Sequence, residues 1–428
     1  MNNPEIKTIQ ARQIFDSRGR PTVETDVELA DGSAGRASVP SGASTGTFEA
    51  FELRDRDAEL YEGLGVMRAV ENVNRRIAAE LVSEDALDQT KIDALLRELD
   101  GTANLENLGA NAVLGVSLAV ARAAANFLKM PLYQWIAELA DTREITLPVP
   151  MVNILSGGLH AGRGMDFQDF LFVPHEAKNF ADAIRKVSKV RAEADKLAKH
   201  RGLPTLLADE GGLSPNFRAA EEALEFVVET FERTLEEPFD EASIAIDVAA
   251  SVLQTGENEY FLSRGQRKVS SLEFIDLLEE LTHHFPVSSI EDALGEEDWR
   301  HWTMLNERLG HRIQIVGDDL LTTNLERVKK AIAEKAVNAV LIKLNQNGTL
   351  TGTIEVIKTA RENGLATIVS ARSGETEDAF IADLAVGTAA GQIKIGSFRN
   401  SERLSKYNRL LQISEETGAP LAIVDSYS

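Results

Sequence analysis

Six stretches between Ser243 and Ser397 decide the fold: SIAIDVAAS (243–251), VSSIEDAL (287–294), IVGDDL (315–320), VLIKLNQN (340–347), TIVSARSGE (367–375) and IKIGS (393–397). Each is a short apolar run that closes on charged or polar residues. Those ends are Asp247, Glu291 with Asp292, Asp318 with Asp319, Lys343, Arg372 with Ser373, and Lys394. Their first members are 44, 27, 25, 29 and 22 residues apart. Every step but the first suits one strand, one helix and two loops. In a (β/α) barrel the C-terminal strand ends meet on one rim, and that rim carries the active site. Three acids and three basic groups then converge, as expected of a metal-dependent enzyme acting on an anionic substrate.

The rest of the chain is consistent with one barrel and one smaller domain. A barrel takes about 250 residues, and the chain has 428. Composition is that of an ordinary globular protein, 43% hydrophobic and 26% charged. With no cysteine, disulfides, thiolate metal sites and Cys nucleophiles are excluded. The start, MNNPEIKTIQARQIF, has no apolar core of a signal peptide. The most apolar stretch, Ala112–Ala121, is too short to span a bilayer and reads as a core helix. Net charge is −23, which argues against nucleic acid as a main partner. A cytoplasmic location without membrane contact is expected.

Two strands around SRGRP (17–21) and a third, GSAGRASVP (32–40), open the chain. Helical patterns at 66–82, 88–99 and 108–128 follow. Strands followed by helices, without alternation, indicate an α+β unit. TREITLPVP (142–150) reads as the linker, and strands then alternate with helices to the end. The expected division is an α+β domain over 1–140 and a barrel over 141–428.

Asp247, Glu291 and Asp318 are hard oxygen ligands on separate strands, a set that suits Mg²⁺. Taken singly, each is equally well a helix cap. Lys343 and Lys394 sit inside apolar strands. Nearby cations would lower the pKa of such a lysine and make it a base, while the plain alternative is a salt bridge to the rim acids. ADEGGLSP (208–215), after PTLL, puts Glu210 at a further strand end as a candidate acid or base. GGLHAGRG (157–164) sets His160 between glycines, able to meet an anion. SGASTG (41–46) alone reads as a connector.

Several segments together make the chain resemble enolase, the phosphopyruvate hydratase of glycolysis. They include DSRGRPTVE (16–24), VPSGASTGTFEAFELRD (39–55), LGANAVLGVSLAVARAAA (108–125), ADEGG (208–212) and IAIDVAAS (244–251). SIEDAL (289–294), IVGDDLLTTN (315–324), LIKLNQNGTLTGT (341–353), SGETED (373–378) and SERLSKYNRLL (401–411) continue in family order. The resemblance implies an atypical (β/α)8 barrel that begins with two strands and two helices, a start that would explain the long first step. It implies two Mg²⁺ ions with substrate bound, the first held by Asp247, Glu291 and Asp318, the second by Ser44 with substrate phosphate. Lys343 would take the C2 proton and Glu210 would assist departure of the C3 hydroxyl. Lys394 and Gln168 would face the substrate carboxylate; Arg372, Ser373 and His160 would contact phosphate. A small phospho-carboxylate substrate and a homodimer or larger homo-oligomer are implied.

Three places depart from the family pattern. Ala371 stands where the family has a histidine. Asp169, in a catalytic position after Gln168, replaces a glutamate one methylene longer. Ser156 replaces an asparagine, with Arg163 as an added charge in the same loop. One reading is a working enolase that dehydrates 2-phospho-D-glycerate. A second is a paralog that keeps C2 proton abstraction on a different or larger 2-phospho or phosphono carboxylate, as in carboxyphosphonoenolpyruvate synthase of phosphonate biosynthesis. A third, a silent scaffold, has no need of the metal triad and base.

Overall fold

The computed structural model describes residues 3–42 and 46–424. Three antiparallel strands open it: β1 (Ile6–Phe15), β2 (Pro21–Leu29) and β3 (Ala34–Ser38). β1 and β2 pair from Ile6↔Leu29 to Phe15↔Pro21 around the turn at Gly19. The helix Ala110–Leu128 lies across β2 and β3. It comes very close at Gly35, where a Cβ would meet Ala119 O at 2.1 Å. Only a residue without a side chain allows that approach. This helix extends well beyond the apolar stretch and is long and apolar enough to cross a membrane, but 78% of that window is buried inside the protein. A further helix, Leu132–Leu139, ends the unit.

The second part is a closed barrel. Its strands are β4 (Val149–Ser156), β5 (Asp169–Pro174), β6 (Ala242–Asp247), β10 (Val287–Glu291), β11 (Gln314–Gly317), β12 (Ala339–Ile342), β13 (Ala366–Ser370) and β14 (Gln392–Lys394). β5 runs antiparallel to both β4 and β6, while the other pairs, including β14 with β4, are parallel. Two helices, Phe180–His200 and Ala220–Glu232, follow β5. The barrel therefore opens with two strands and two helices, and regular alternation starts only at β6. The expected linker is no free segment. Val149 and Pro150 already belong to β4, and Leu147 is buried, pairing with the chain at Leu421.

The long first step has another cause than the irregular barrel start. Between β6 and β10 the chain inserts a small antiparallel sheet of β7 (Gln254–Gly256), β8 (Glu259–Leu262) and β9 (Arg267–Ser270) before the helix Ser271–His284. That helix is fixed by a capping box from Ser270 and Glu273. A helix at Trp299–Leu309, not legible from the sequence, completes the unit between β10 and β11.

Strand parity sorts the core. Val149, Met151, Leu171, Val173, Ala245, Val316, Ala339, Leu341 and Ile368 form one cluster, separate from the large core that holds Val152, Phe170, Phe172, Ile246, Ile290, Ile315, Val340, Ile342 and Val369. The first set fills the barrel interior; the second faces the helices. Side chains alternate along a strand. Asp169, Asp247, Asp318 and Lys343 each share parity with an interior residue two positions away, so they continue the interior at the mouth. Glu291 and Lys394 follow outward-facing isoleucines and also turn inward.

Candidate active site at the barrel mouth

The rim residues meet as strong ion pairs. Lys394 Nζ lies 2.7 Å from Asp247 Oδ2 and 2.7 Å from Glu291 Oε2. Lys343 Nζ bonds Asp318 Oδ2. Gln168 donates to Asp247 Oδ2 at 2.9 Å. Asp247, Glu291, Asp318 and Lys394 are all buried. Burial opposes the charge on both lysines. Burial is the largest single influence on each, yet Asp318 together with Glu291 at Lys343, and Asp247, Glu291, Asp169 and Glu210 together at Lys394, leave both titrating above the ordinary lysine value. Of the two readings of Lys343, a base of depressed pKa or a salt bridge to the rim acids, the structure shows the salt bridge. Arg372 and Lys394 act to lower its pKa, as burial does, but Asp318 and Glu291 together leave it raised.

The acids carry an excess of negative charge. Burial, then Asp247, pushes Glu291 up to about 8. Its Oε1 is buried without a hydrogen-bond partner. Asp318 is likewise opposed by burial, but Lys343 holds it below the usual carboxylate range. Three buried hard-oxygen groups, one with an oxygen unspent, fit a divalent cation such as Mg²⁺. The tightest acidic group among the described residues is an overlapping one. Asp292, Asp318 and Asp319 place one oxygen each within 4.8 Å of one another. Asp292 is otherwise committed. Its two oxygens accept the backbone N–H groups of Asp318 and Asp319, both at 2.9 Å, while its own backbone sits at φ 44°. Asp292 thus shapes the turn that presents Asp318.

At the other side of the mouth, Arg372 is held by Glu49 at 3.0 and 3.2 Å and by Asn345 Oδ1 at 2.8 Å. Ser373 Oγ accepts from Arg18 at 3.3 Å. Buried Arg403 donates to the carbonyls of Arg372, Ser373 and Ile395 at 2.7 to 2.9 Å. It pins the loop after β13 to β14. His160, Gln168, Asp247, Asp318, Lys343, Arg372, Ser373 and Lys394 line one small cavity. Both ring nitrogens of His160 are buried without a partner.

Glu210 lines the same cavity, but not from a strand end. Residues 208–212 form a tight turn, with Gly211 at φ 87° and N–H bonds from Gly211 to Ala208 and from Ala208 to Gly212. The turn docks through Ser397 N–H to Glu210 O at 2.9 Å. PTLL forms no strand: Leu206 is 75% exposed, and Leu207 makes only an isolated bridge to Leu213. Burial would raise the Glu210 pKa, but Arg403, His160 and the two lysines outweigh it and lower it. Asp169 is buried behind the cavity wall. Its Oδ1 accepts the Ser156 hydroxyl at 2.6 Å, and its Oδ2 has no partner. Burial, then Glu210, raises its pKa well above the ordinary value. Ala371 lines the cavity between Ser370 and Arg372. Ser44 lies outside the described residues.

Sequence reasoning passed over Glu49, Gln346 and Arg403. No periodicity marks Glu49, which comes from the first domain. Gln346 follows Lys343 by three residues on the short turn Leu344–Asn347. Two family models match the chain: "Enolase, N-terminal domain" over residues 6–136 and "Enolase, C-terminal TIM barrel domain" over residues 144–424.

Proposed function

Since the chain belongs to the enolase family and carries the fold of a lyase of that family, we propose that it catalyses the Mg²⁺-dependent, reversible dehydration of 2-phospho-D-glycerate to phosphoenolpyruvate. The observation that carries this reading is the convergence of Asp247, Glu291, Asp318, Lys343 and Lys394 on one rim, where all but the half-buried Lys343 are buried. Asp247, Glu291 and Asp318 would hold the ion. A bound cation supplies charge stabilisation where the substrate carboxylate gains a second negative charge.

The chain's own groups account for the remaining chemistry. A proton beside a carboxylate is weakly acidic, so its removal needs a base held close and cations around the developing charge. Lys343 takes the C2 proton once its ion pair with Asp318 is relieved. Lys394 and Gln168 face the carboxylate. Arg372, Ser373 and His160 receive the phosphate, for which Arg372 offers a planar fork. Glu210 delivers a proton to the C3 hydroxyl as the C3–O bond breaks and water leaves. It is held ionised in the free site, so it must gain that proton on substrate binding, when added negative charge raises its pKa.

A second reading keeps C2 proton abstraction but applies it to a different or larger 2-phospho or phosphono carboxylate. What favours it is a short alanine, Ala371, lining the cavity near Arg372 and Ser373, together with an Asp169 turned to Ser156. One assay separates the readings. Turnover of 2-phosphoglycerate with Mg²⁺ at ordinary enolase rates supports the first and sinks the second. Absence of turnover, with retained C2 hydrogen exchange, does the reverse.

A further inference from the structure

An unbroken series of side-chain bonds runs from the anion side of the mouth to the base. Arg372 Nη1 and Nη2 grip Glu49 Oε2 and Oε1 at 3.0 and 3.2 Å. Gln346 Nε2 donates to Glu49 Oε1 at 3.2 Å and to Asp318 Oδ1 at 2.9 Å. Asp318 Oδ2 then bonds Lys343. The orientation of the Gln346 amide follows from its surroundings. Two carboxylate oxygens face its nitrogen end and would repel a carbonyl there. Its own Oε1 accepts the Thr323 hydroxyl at 2.8 Å. Thr323 Oγ1 in turn accepts the Lys343 N–H at 2.9 Å. Gln346 is 2% exposed. At a site this buried, hydrogen bonds to charged groups are strong and transmit position.

Glu49 belongs to the segment between the first sheet and its helices, outside the barrel. Its carboxylate is held locally by the Gly46 N–H at 3.0 Å. The path therefore ties one domain's loop to a candidate metal ligand of the other.

We propose that Gln346 is a positioning residue that couples Glu49 of the N-terminal domain to Asp318, and thereby sets the carboxylate that holds the metal and partners Lys343. The proposal rests on the reading of Asp318 as a Mg²⁺ ligand. Outer partners of metal ligands typically change affinity about 10- to 100-fold when removed. Gln346→Met keeps the length of the side chain and removes its polar atoms.

The test is Mg²⁺ titration by calorimetry on the full chain, without substrate, for wild type, Gln346→Met, Glu49→Gln and the double variant. Gln346→Met is expected to weaken Mg²⁺ binding by about tenfold or more. Glu49→Gln weakens it less. The double variant is no weaker than Gln346→Met, because both changes cut one path. Equal affinities in wild type and Gln346→Met, or additive losses in the double variant, overturn the inference and leave the proposed function standing. A wild type that binds no Mg²⁺ overturns both. Should Gln346→Met fail to fold, Glu49→Gln alone decides, and unchanged affinity there counts against the coupling.

Discussion

The hydroxyl of Ser156 donates to the carboxylate of Asp169 at 2.6 Å, and both residues are fully enclosed. These are two of the positions at which the chain departs from the family pattern, so the departures are physically one unit. Ser156 also lies against the acid loop: a Cβ on Gly212 would meet its Oγ at 2.2 Å. Ser156→Ala leaves the Asp169 carboxyl group without any partner. A stability loss of about 1–3 kcal/mol is expected, read as a lower midpoint in urea with unchanged slope. Gly212→Ala should cost a similar amount, about 1–3 kcal/mol by overpacking, and should also slow turnover by displacing Glu210. A Ser156→Ala protein as stable as wild type would contradict this account.

Lys343 is the base in the proposed reaction. Lys343→Ala should abolish exchange of the C2 hydrogen with solvent, by about 10²–10⁴-fold, the usual worth of a general base. The exchange can be followed by NMR in D₂O independently of dehydration. Unchanged exchange in the variant would remove Lys343 from that role.

Ala371 tests the leaving-group side. Ala371→His is expected to raise turnover of 2-phosphoglycerate by about tenfold, equal to about 1.4 kcal/mol of barrier. The C2 exchange rate should change little. A variant slower than wild type on 2-phosphoglycerate would mean that the alanine is no handicap with this substrate.

The acids predict a pH dependence with a definite sign. Glu291 is raised to about 8 by burial and by Asp247, and Asp319 to about 7 by burial and by Asp318. Between the ordinary carboxylate value and these values the metal-free folded chain holds protons that the unfolded chain lacks. Its stability contribution from these groups is therefore full at low pH and is lost as pH rises through the window. Mg²⁺ requires ionised ligands, so binding releases protons. Affinity should climb by up to about tenfold per pH unit for each proton released and flatten above pH of about 8. Calorimetry in buffers of different ionisation enthalpy measures the release. Glu291→Gln should bind more weakly and with a shallower slope.

The sequence by itself determined six of the eight barrel strands, all but Val149–Ser156 and Asp169–Pro174, and most of the rim. Apolar runs ending in Asp247, Glu291, Asp318, Lys343 and Lys394 are local signals. Strand alternation then turns each end inward, because a residue two positions beyond an interior one must share its face. The three opening strands and the helices around 88–128 were legible for the same reason. Tertiary structure alone decided what those residues meet. The inserted sheet at Gln254–Ser270 was hidden inside a spacing, since length does not say what fills it. Glu210 sits on a turn closed locally by Gly211 and docked by the Ser397 N–H, a contact between segments far apart in the chain. Sequence leaves Lys343 open between a base of depressed pKa and a salt bridge; the contact with Asp318, with Glu291 nearby, decides for the salt bridge despite burial and two nearby cations. Glu49 and Gln346 carried no pattern at all. Their place at the mouth follows from the packing of one domain against the other, which brings a carboxylate from the first to within 3.2 Å of an amide in the second.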